Sequence, residues 1–443
     1  MQASSETAAT RDDGFLPLPR IDARYLTYSR FLREFALPRQ PCILTDVGGT
    51  WAAKENWSVE YLLAHGGIDE SHKVHMAVGR ANHAKEVATT VGKALRTVQA
   101  TAISDANGND DEPPSYLSAW DYVRGKSACL QEDFSVPRFF ERAPRWLSSN
   151  VVLGNAATDM KWLYIGTRGS GSSTHVDTNL SSAWLWCAHG RKEWVCAHGG
   201  DHAVLTRGTG SAAYGYASGG SDDEDCESGS DDDDEPPLPD FFADDLFERW
   251  PQCRGARLYR GYQGAGEVCY NPTMCVHAVR NVGNARGEVI LSLTHNFVDA
   301  TNLAEVLSDA TRSIRTELLP MAKALKPKSV LKTLAKSLHM NKEDLAIALR
   351  ELPTIVTDAR VEEVIACAAA GAEEDGASDG EGTPEAVATL LRATLEDRLK
   401  DVRPAFVAAA TALREALQLE PPAASAPSDE IRGCGEDGVL EVA

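Results

Sequence analysis

The string His175-Val176-Asp177 stands out in this sequence, together with a third ligand-type residue, His277, far downstream. On a β-strand, residues two apart project from the same face because side chains alternate. Two imidazoles and one carboxylate form the ligand set of mononuclear non-heme iron and leave part of the coordination sphere open. A His-x-Asp string also arises by chance, so a strand end with an exposed Asp and a half-buried His is the competing interpretation.

A predicted β-hairpin follows this string. Hydrophobic runs on both sides of His189-Gly190-Arg191 predict two strands joined by a tight turn, the second of which begins at Lys192. An ammonium group near an apolar face costs free energy unless an anion pairs with it. This segment alone leaves two interpretations of Lys192 open: an anchor for an anionic ligand, and a surface lysine on an edge strand.

The segment after His277 contributes a second group of polar residues. A long strand is predicted over 288–297, and Ser292, Thr294 and Asn296 lie on one of its faces. A row of small hydroxyl and amide groups suits the wall of a pocket that binds a polar small molecule. An outer face open to water is the alternative, and the position just after His277 favours the pocket.

Several separate blocks of the chain match one known family. They are His175-x-Asp177, Ser-Ala-Trp at 182–184, Gly-Arg-Lys-Glu-Trp at 190–194, Gly-Glu-Val-Cys-Tyr-Asn-Pro at 266–272 before His277, and Thr-His-Asn-Phe at 294–297. Together they resemble the JmjC-domain oxygenases, which depend on iron(II) and 2-oxoglutarate. The subgroup that the chain is most similar to is the small protein hydroxylases, including the Jumonji lysyl hydroxylases of splicing factors and of a translation termination factor. The resemblance covers about residues 20–305.

The resemblance implies a metal site. His175, Asp177 and His277 match the iron ligands of the family. Family members usually carry a Gly-Trp pair just before the distal histidine, whereas this chain has Thr-Met-Cys-Val at 273–276. That departure concerns the substrate side of the iron and leaves the ligand set intact.

The resemblance also implies a cosubstrate site. Lys192 matches the lysine that pairs with the distal carboxylate of 2-oxoglutarate. Thr294 and Asn296 match polar positions beside that cosubstrate, and Ser172 lies where a hydroxyl residue often contributes. The implied cofactors are therefore Fe(II), 2-oxoglutarate as cosubstrate, and O2.

The function that this resemblance implies is hydroxylation of a protein side chain, with lysine as one candidate, in a protein of the translation or RNA-processing machinery. A JmjC histone lysine demethylase shares the same cofactors, but the chain shows no chromatin-reading zinc module. A catalytically inactive scaffold of the same fold is a second alternative, and the intact ligand set with Lys192 counts against it. A cupin-type enzyme with another metal would not need Lys192.

Charge is distributed unevenly along the 443 residues, which carry a net charge of −21. Residues 221–235 hold ten acidic side chains and predict a disordered insertion between the two halves of the iron site. A solvated insertion without function is the simpler interpretation, and attraction of a Lys/Arg-rich protein substrate is the sharper one. Direct binding of nucleic acid is disfavoured by this charge.

The predicted organisation has five parts. They are a disordered tail over 1–20, an N-terminal region of helices and strands over 21–160, the catalytic domain over 161–300 with an acidic insertion at 218–238, an α-helical region over 301–420 with a loop at 371–383, and a disordered tail over 421–443. Within the N-terminal region, residues 101–114 are expected to form a polar loop and residues 116–124 a helix. Helices that follow the catalytic domain predict a homodimer interface or a simple shield for that domain.

The predicted fold is a mainly β core, a double-stranded β-helix of the jelly-roll or cupin-like type, with N-terminal α/β elements and a C-terminal helical region. The chain has no long uncharged apolar run, and its N-terminus lacks the apolar segment of a secretory signal. Its ten cysteines are without paired CxxC spacing, which favours reduced thiols and an intracellular location, in the nucleus or the cytoplasm.

Overall fold

The computed structural model describes residues 14–421, except for 66, 82, 110, 149–159, 207–237, 339 and 374–381. Most of the predicted N-terminal tail, the acidic run at 221–235, most of the loop predicted at 371–383 and the C-terminal tail from residue 422 lie outside the described residues.

The described residues form two β-sheets. The strands are β1 (Leu16–Pro17), β2 (Arg20–Asp22), β3 (Cys42–Thr45), β4 (Lys73–Val78), β5 (Lys85–Thr90), β6 (Ser115–Asp121), β7 (Lys161–Gly166), β8 (Gly171–His175), β9 (Ser182–His189), β10 (Arg191–Ala197), β11 (Leu258–Gly264), β12 (Val268–Asn271), β13 (His277–Asn281) and β14 (Ile290–Phe297). One sheet has the order β1-β11-β10-β13-β8, and the other has the order β2-β3-β12-β9-β14-β7-β6-β4-β5.

The eight strands β7–β14 build a roll, because they are distributed between the two sheets. β7, β9, β12 and β14 lie in the larger sheet, and β8, β10, β11 and β13 lie in the smaller one. Apolar side chains from both sheets meet in one interior cluster, which includes Leu185, Trp194, Cys196 and Cys269. The predicted jelly-roll core is therefore confirmed.

Alternating sequence patterns position the strands that matter most. All eight residues of β14 are buried, so this strand packs on both faces. Its Leu291, Leu293 and Phe297 join the large apolar cluster outside the roll, whereas Thr294 and its face neighbours point inward. The predicted hairpin turn is present at Gly190, which connects β9 to β10 with a φ of 83°. That conformation favours glycine because a Cβ would clash.

Thirteen α-helices surround the roll in the part of the chain that the structure describes. They are α1 (Tyr28–Phe31), α2 (Ala52–Asn56), α3 (Val59–Ala64), α4 (Val91–Ala106), α5 (Arg145–Ser148), α6 (His202–Leu205), α7 (Leu246–Arg249), α8 (Leu303–Ser313), α9 (Leu319–Ala324), α10 (Pro327–Ser337), α11 (Lys342–Glu351), α12 (Asp358–Ala370) and α13 (Pro384–Ala416). None of these helices combines the length and apolarity that crossing a lipid bilayer requires.

Two expectations for the N-terminal region are wrong. The expected helix over 116–124 is replaced by β6, whose pairing with β7 shifts register between Leu117 and Trp120. This bulge, with Ala119 at a φ of 51°, places the buried residues of the strand at spacings that imitate a helix. The expected polar loop over 101–114 is wrong at its start, because α4 continues to Ala106.

The C-terminal helices share a core with the roll. One continuous apolar cluster contains Trp184 and Leu293 from the larger sheet as well as Leu391 and Phe406 from α13. Arg398 of α13 also donates hydrogen bonds to backbone carbonyls of the N-terminal and post-roll segments. The helical region is therefore part of the same folded unit as the roll.

Candidate metal centre and buried lysine pocket

Three potential ligand side chains converge at one end of the smaller sheet. His175 ends β8 and pairs in register with His277, the first residue of β13, and the two ring centroids are 4.3 Å apart. Asp177 follows β8 directly in the next loop. One ligand atom from each of these three residues lies within 4.8 Å of the others. The structure thus brings together the three residues that the sequence pointed to.

Backbone carbonyls orient both imidazole rings. His175 Nδ1 lies 2.7 Å from the carbonyl oxygen of Ser173, and His277 Nδ1 lies 3.0 Å from that of Cys275. A carbonyl only accepts, so each Nδ1 carries the hydrogen and each Nε2 is left for a metal. The hydrogen bond at Nδ1 therefore fixes each ring in the tautomer that metal binding requires.

The electrostatics of this cluster favour a positive charge between its members. Burial and the neighbouring His277 lower the pKa of His175 to about 4. Burial also opposes a charge on His277, but the Asp177 carboxylate and the contacts with Cys275 raise the pKa of His277 to about 9. A divalent cation would take the place of the proton that the Asp177 charge holds there.

Lys192 is fully buried inside the roll, with no exposed surface. Its Nζ donates to Asn281 Oδ1 over 2.9 Å and lies 5.8 Å from the ring centre of Tyr116. Among the described residues, no carboxylate forms an ion pair with Lys192. Burial lowers the pKa of Lys192 to about 8. The lysine is therefore a buried cation that lacks a compensating charge.

Two residues that the sequence analysis did not assign to the site, Asn281 and Tyr116, lie beside Lys192. Asn281 connects Lys192 to Ser170, because its Nδ2 donates to Ser170 Oγ over 2.9 Å. Tyr116 lies beside Lys192, and the Tyr164 ring is 5.9 Å from that of Tyr116. Tyr116 lies in the segment 116–124, which was expected to be a helix. Alternation within 277–281 is the signal that could have found Asn281.

Ser172 and Thr294 also face the interior of the roll. Ser172 pairs in register with Val279, whose side chain belongs to the interior cluster of the roll. Thr294 is 7% exposed, and its hydroxyl has no hydrogen-bond partner among the described residues. A buried hydroxyl without a partner is costly, which points to a missing polar ligand near β14.

Along β14, Asn296 lies farther than Thr294 from the turn that precedes Lys192. Its Nδ2 donates to Ser181 Oγ over 3.0 Å, so the side chain braces the loop that follows Asp177. The third polar residue of this face, Ser292, pairs in register with Cys187 near the turn that precedes Lys192. The inner face of β14 therefore runs from the lysine to the ligand-bearing loop.

Comparison with known proteins finds relatives that are named as hydroxylases, oxygenases and demethylases. It is 30% identical over 184 residues to the bifunctional arginine demethylase and lysyl-hydroxylase psr-1 of Caenorhabditis elegans, which covers 40% of each chain. It is 24% identical over 314 residues to the 2-oxoglutarate and iron-dependent oxygenase JMJD4 of Gallus gallus, which covers 66% of this chain and 63% of that protein. It is 31% identical over 172 residues to the arginine-specific demethylase JMJ22 of Arabidopsis thaliana, which covers 39% of this chain and 29% of that protein.

The match spans less than two thirds of the length of each of these relatives. Their names agree with the resemblance to JmjC-domain oxygenases that the sequence blocks predict. A family model described as a cupin-like domain matches residues 28–301, which is most of the chain and includes the whole roll. The chain belongs to this family of proteins with a cupin-like domain.

Proposed function

We propose that this protein is an Fe(II)- and 2-oxoglutarate-dependent oxygenase that hydroxylates a protein side chain. The observation that carries the proposal is the pairing of a three-ligand cluster with a buried, uncompensated lysine inside one roll. The donor set of two imidazoles and a carboxylate fits iron(II). When bound, iron(II) and 2-oxoglutarate supply, with O2, the oxidising chemistry that hydroxylates a C–H bond.

In this proposal, separate groups of residues bind the metal and the cosubstrate. His175, Asp177 and His277 would hold the metal. Lys192 would bind the distal carboxylate of the cosubstrate, where low polarity makes an ion pair stronger than in water. The hydroxyl of Thr294, which lacks a partner, is suited to donate to the same carboxylate.

The spacing along β10 supports this division. Lys192 pairs with Asn281, and Cys196 pairs with His277, so the lysine and the metal cluster lie four residues apart on one strand pair. Four residues of strand span roughly 13 Å. A lysine side chain and a five-carbon diacid together can bridge that distance.

Ser172, Tyr116 and Asn281 would complete the walls of the pocket. Asn281 accepts a hydrogen bond from the lysine, and the Tyr116 ring borders the lysine. Asn296 would act less directly, since it is hydrogen-bonded to Ser181. Such a closed, polar-lined interior orients a small acid and excludes water.

Anaerobic titration with iron(II) and 2-oxoglutarate tests the proposal. The wild type should develop the visible charge-transfer absorption of the iron–keto acid complex, and air should then release succinate in the presence of a substrate peptide. Asp177→Ala should lose the absorption band. A wild type that binds neither iron(II) nor 2-oxoglutarate would refute the proposal.

The mass change of the peptide distinguishes the two chemistries that the relatives' names include. Gain of one oxygen atom indicates hydroxylation, and loss of a methyl group indicates demethylation, as a histone lysine demethylase would give. Turnover of neither kind, with intact metal and cosubstrate binding, would favour the inactive-scaffold alternative.

The remaining expectations concern partners and location. We propose a Lys/Arg-rich protein substrate from the translation or RNA-processing machinery, attracted by the acidic run at 221–235. Deletion of 220–236 should then weaken substrate binding at low salt and not at high salt. The eight described cysteines are free thiols, which supports an intracellular location in nucleus or cytoplasm. A homodimer through the C-terminal helices is a further expectation, which sedimentation tests.

A further inference from the structure

Two loops carry the candidate ligands, and both contain backbone in the left-handed region. In the loop after β8, Leu180 has a φ of 53°, and in the loop before β13, Met274 has a φ of 64°. Side chains of this size rarely adopt such conformations, which persist only where the surroundings enforce them. Asp177 lies in the first loop, and His277 follows the second.

Thr273 connects the two loops through its side chain and its backbone N–H. The Thr273 hydroxyl donates to the carbonyl oxygen of Leu180 over 2.6 Å, and the Thr273 N–H donates to Ser182 Oγ over 3.0 Å. Thr273 is 1% exposed, so water does not compete for these hydrogen bonds.

The connection reaches the backbone of both ligands. On one side, the Leu180 N–H donates to the carbonyl of Asp177 over 3.1 Å. On the other side, Thr273 lies in the turn over 272–275, and the Cys275 carbonyl of that turn is the acceptor for His277 Nδ1. The Cys275 N–H closes that turn on the Pro272 carbonyl. Displacement of Thr273 would therefore shift Asp177 relative to His277.

We infer that Thr273 is a positioning residue that sets the separation of Asp177 from His277 before a metal binds. The inference rests on the proposed metal-binding function and extends it to a residue that touches neither metal nor cosubstrate. Groups that hold ligands in place change metal affinity about 10- to 100-fold when they are removed. The hydroxyl itself, rather than the volume of the side chain, carries the effect.

Titration with Co(II), followed by visible absorption, tests this inference without any turnover. Thr273→Val keeps the shape and removes the hydroxyl, so Co(II) affinity should fall about tenfold or more. Thr273→Ser keeps the hydroxyl and should bind Co(II) within about twofold of wild type. Thr311→Val is the control, because Thr311 is also buried, with 7% of its surface exposed, and donates to the Leu307 carbonyl over 2.7 Å within α8.

The outcomes separate this inference from the proposed function. A wild type that binds no Co(II) contradicts both. Wild-type binding with unchanged affinity and absorption in Thr273→Val overturns the Thr273 inference alone. Should Thr273→Val fail to fold, Thr273→Ala replaces it, since serine and alanine differ there by one hydroxyl, and equal Co(II) affinities of these two variants overturn the inference. A loss of affinity in Thr311→Val equal to that in Thr273→Val also overturns it.

Discussion

Lys192 Nζ donates to Asn281 Oδ1 over 2.9 Å, and both side chains are buried on adjacent strands. An amide oxygen is neutral, so this hydrogen bond orients the ammonium group without compensating its charge. Burial lowers the pKa of Lys192 to about 8, because no neighbouring anion compensates the charge of the ammonium group. A bound dicarboxylate would supply the charge and raise the pKa again.

Affinity for 2-oxoglutarate should depend on pH through Lys192. Because the free lysine has a pKa of about 8 and the bound lysine a higher one, binding takes up a proton above that pH. Affinity should be nearly constant below pH 8 and fall about tenfold per unit above it. Calorimetric titration with Mn(II) in place of iron(II) measures both the affinity and the proton uptake.

Variants of Lys192 provide the controls for this profile. Lys192→Ala should bind 2-oxoglutarate about 100-fold more weakly than wild type, with no dependence on pH near 8. Lys192→Arg keeps a charge at all accessible pH values, so any residual binding should lose the pH dependence. A profile that is the same in wild type and Lys192→Ala would show that the anion binds elsewhere.

Asn281→Ala should weaken both the fold and the cosubstrate site. The change removes the acceptor for Lys192 and the donor to Ser170, and it leaves both groups buried without that partner. A loss of about 1–3 kcal/mol in the free energy of unfolding is expected, with a parallel loss of 2-oxoglutarate affinity. Urea denaturation measures the first and calorimetry the second. Asn284→Ala, at an exposed position, should leave both unchanged.

Asp299 should make stability fall as pH rises. Burial raises its pKa from 3.8 to about 6, so the folded state holds this proton more tightly than the unfolded state does. The stabilising contribution is complete below about pH 4 and is lost as pH rises through about 6, at a cost of about 3 kcal/mol at neutral pH.

Asp299→Asn tests this dependence, because asparagine is neutral and still accepts from Thr301. The variant should be more stable than wild type at pH 7.5 by about 2–3 kcal/mol, and by about half of that at pH 5. Urea unfolding at both pH values gives the two differences. A variant that is less stable at pH 7.5, or a gap independent of pH, would contradict the assignment.

Phe406→Ala should destabilise the roll from a distance. Phe406 of α13 is fully buried in the cluster that also holds Trp184 of the roll. Its truncation should cost about 3–5 kcal/mol, and tryptophan fluorescence and helical circular dichroism should be lost in one transition. Ile347→Ala, at a side chain that is 48% exposed, should change stability by less than about 0.5 kcal/mol. Separate transitions would mean that helices and roll unfold independently.

Sequence alone predicted the parts of the site whose patterns are local. The His175–Asp177 pair, the hairpin that presents Lys192 and the inward face of β14 follow from period-two alternation and a glycine turn. The direct pairing of His175 with His277 could not be derived that way, because it depends on which strands become neighbours across about a hundred residues. The ligand types suggested one site for both histidines, and the resemblance to a known family supported that assignment.

The remaining errors have local causes. The strand that carries Tyr116 was predicted as a helix because the bulge at Ala119 interrupts the alternation on which strand prediction relies. The last turns of α4 were predicted as a loop because residues 101–106 include polar side chains. One face of this helix packs on β6 and the other meets solvent. The role of Asn281 was not predicted because it depends on Lys192, a contact between residues 89 positions apart.

Strand β10 connects the lysine end of the pocket to the metal end. It pairs through Lys192 with Asn281 and through Cys196 with His277, so a single stretch of backbone separates the two ends of the pocket. Hydrogen bonds on both edges of β10 keep that stretch from lengthening or contracting. Under the proposed function, dicarboxylates one carbon shorter or longer than 2-oxoglutarate could satisfy one end only. Carbon-chain length would then be discriminated by the sheet itself, rather than by adaptable side chains.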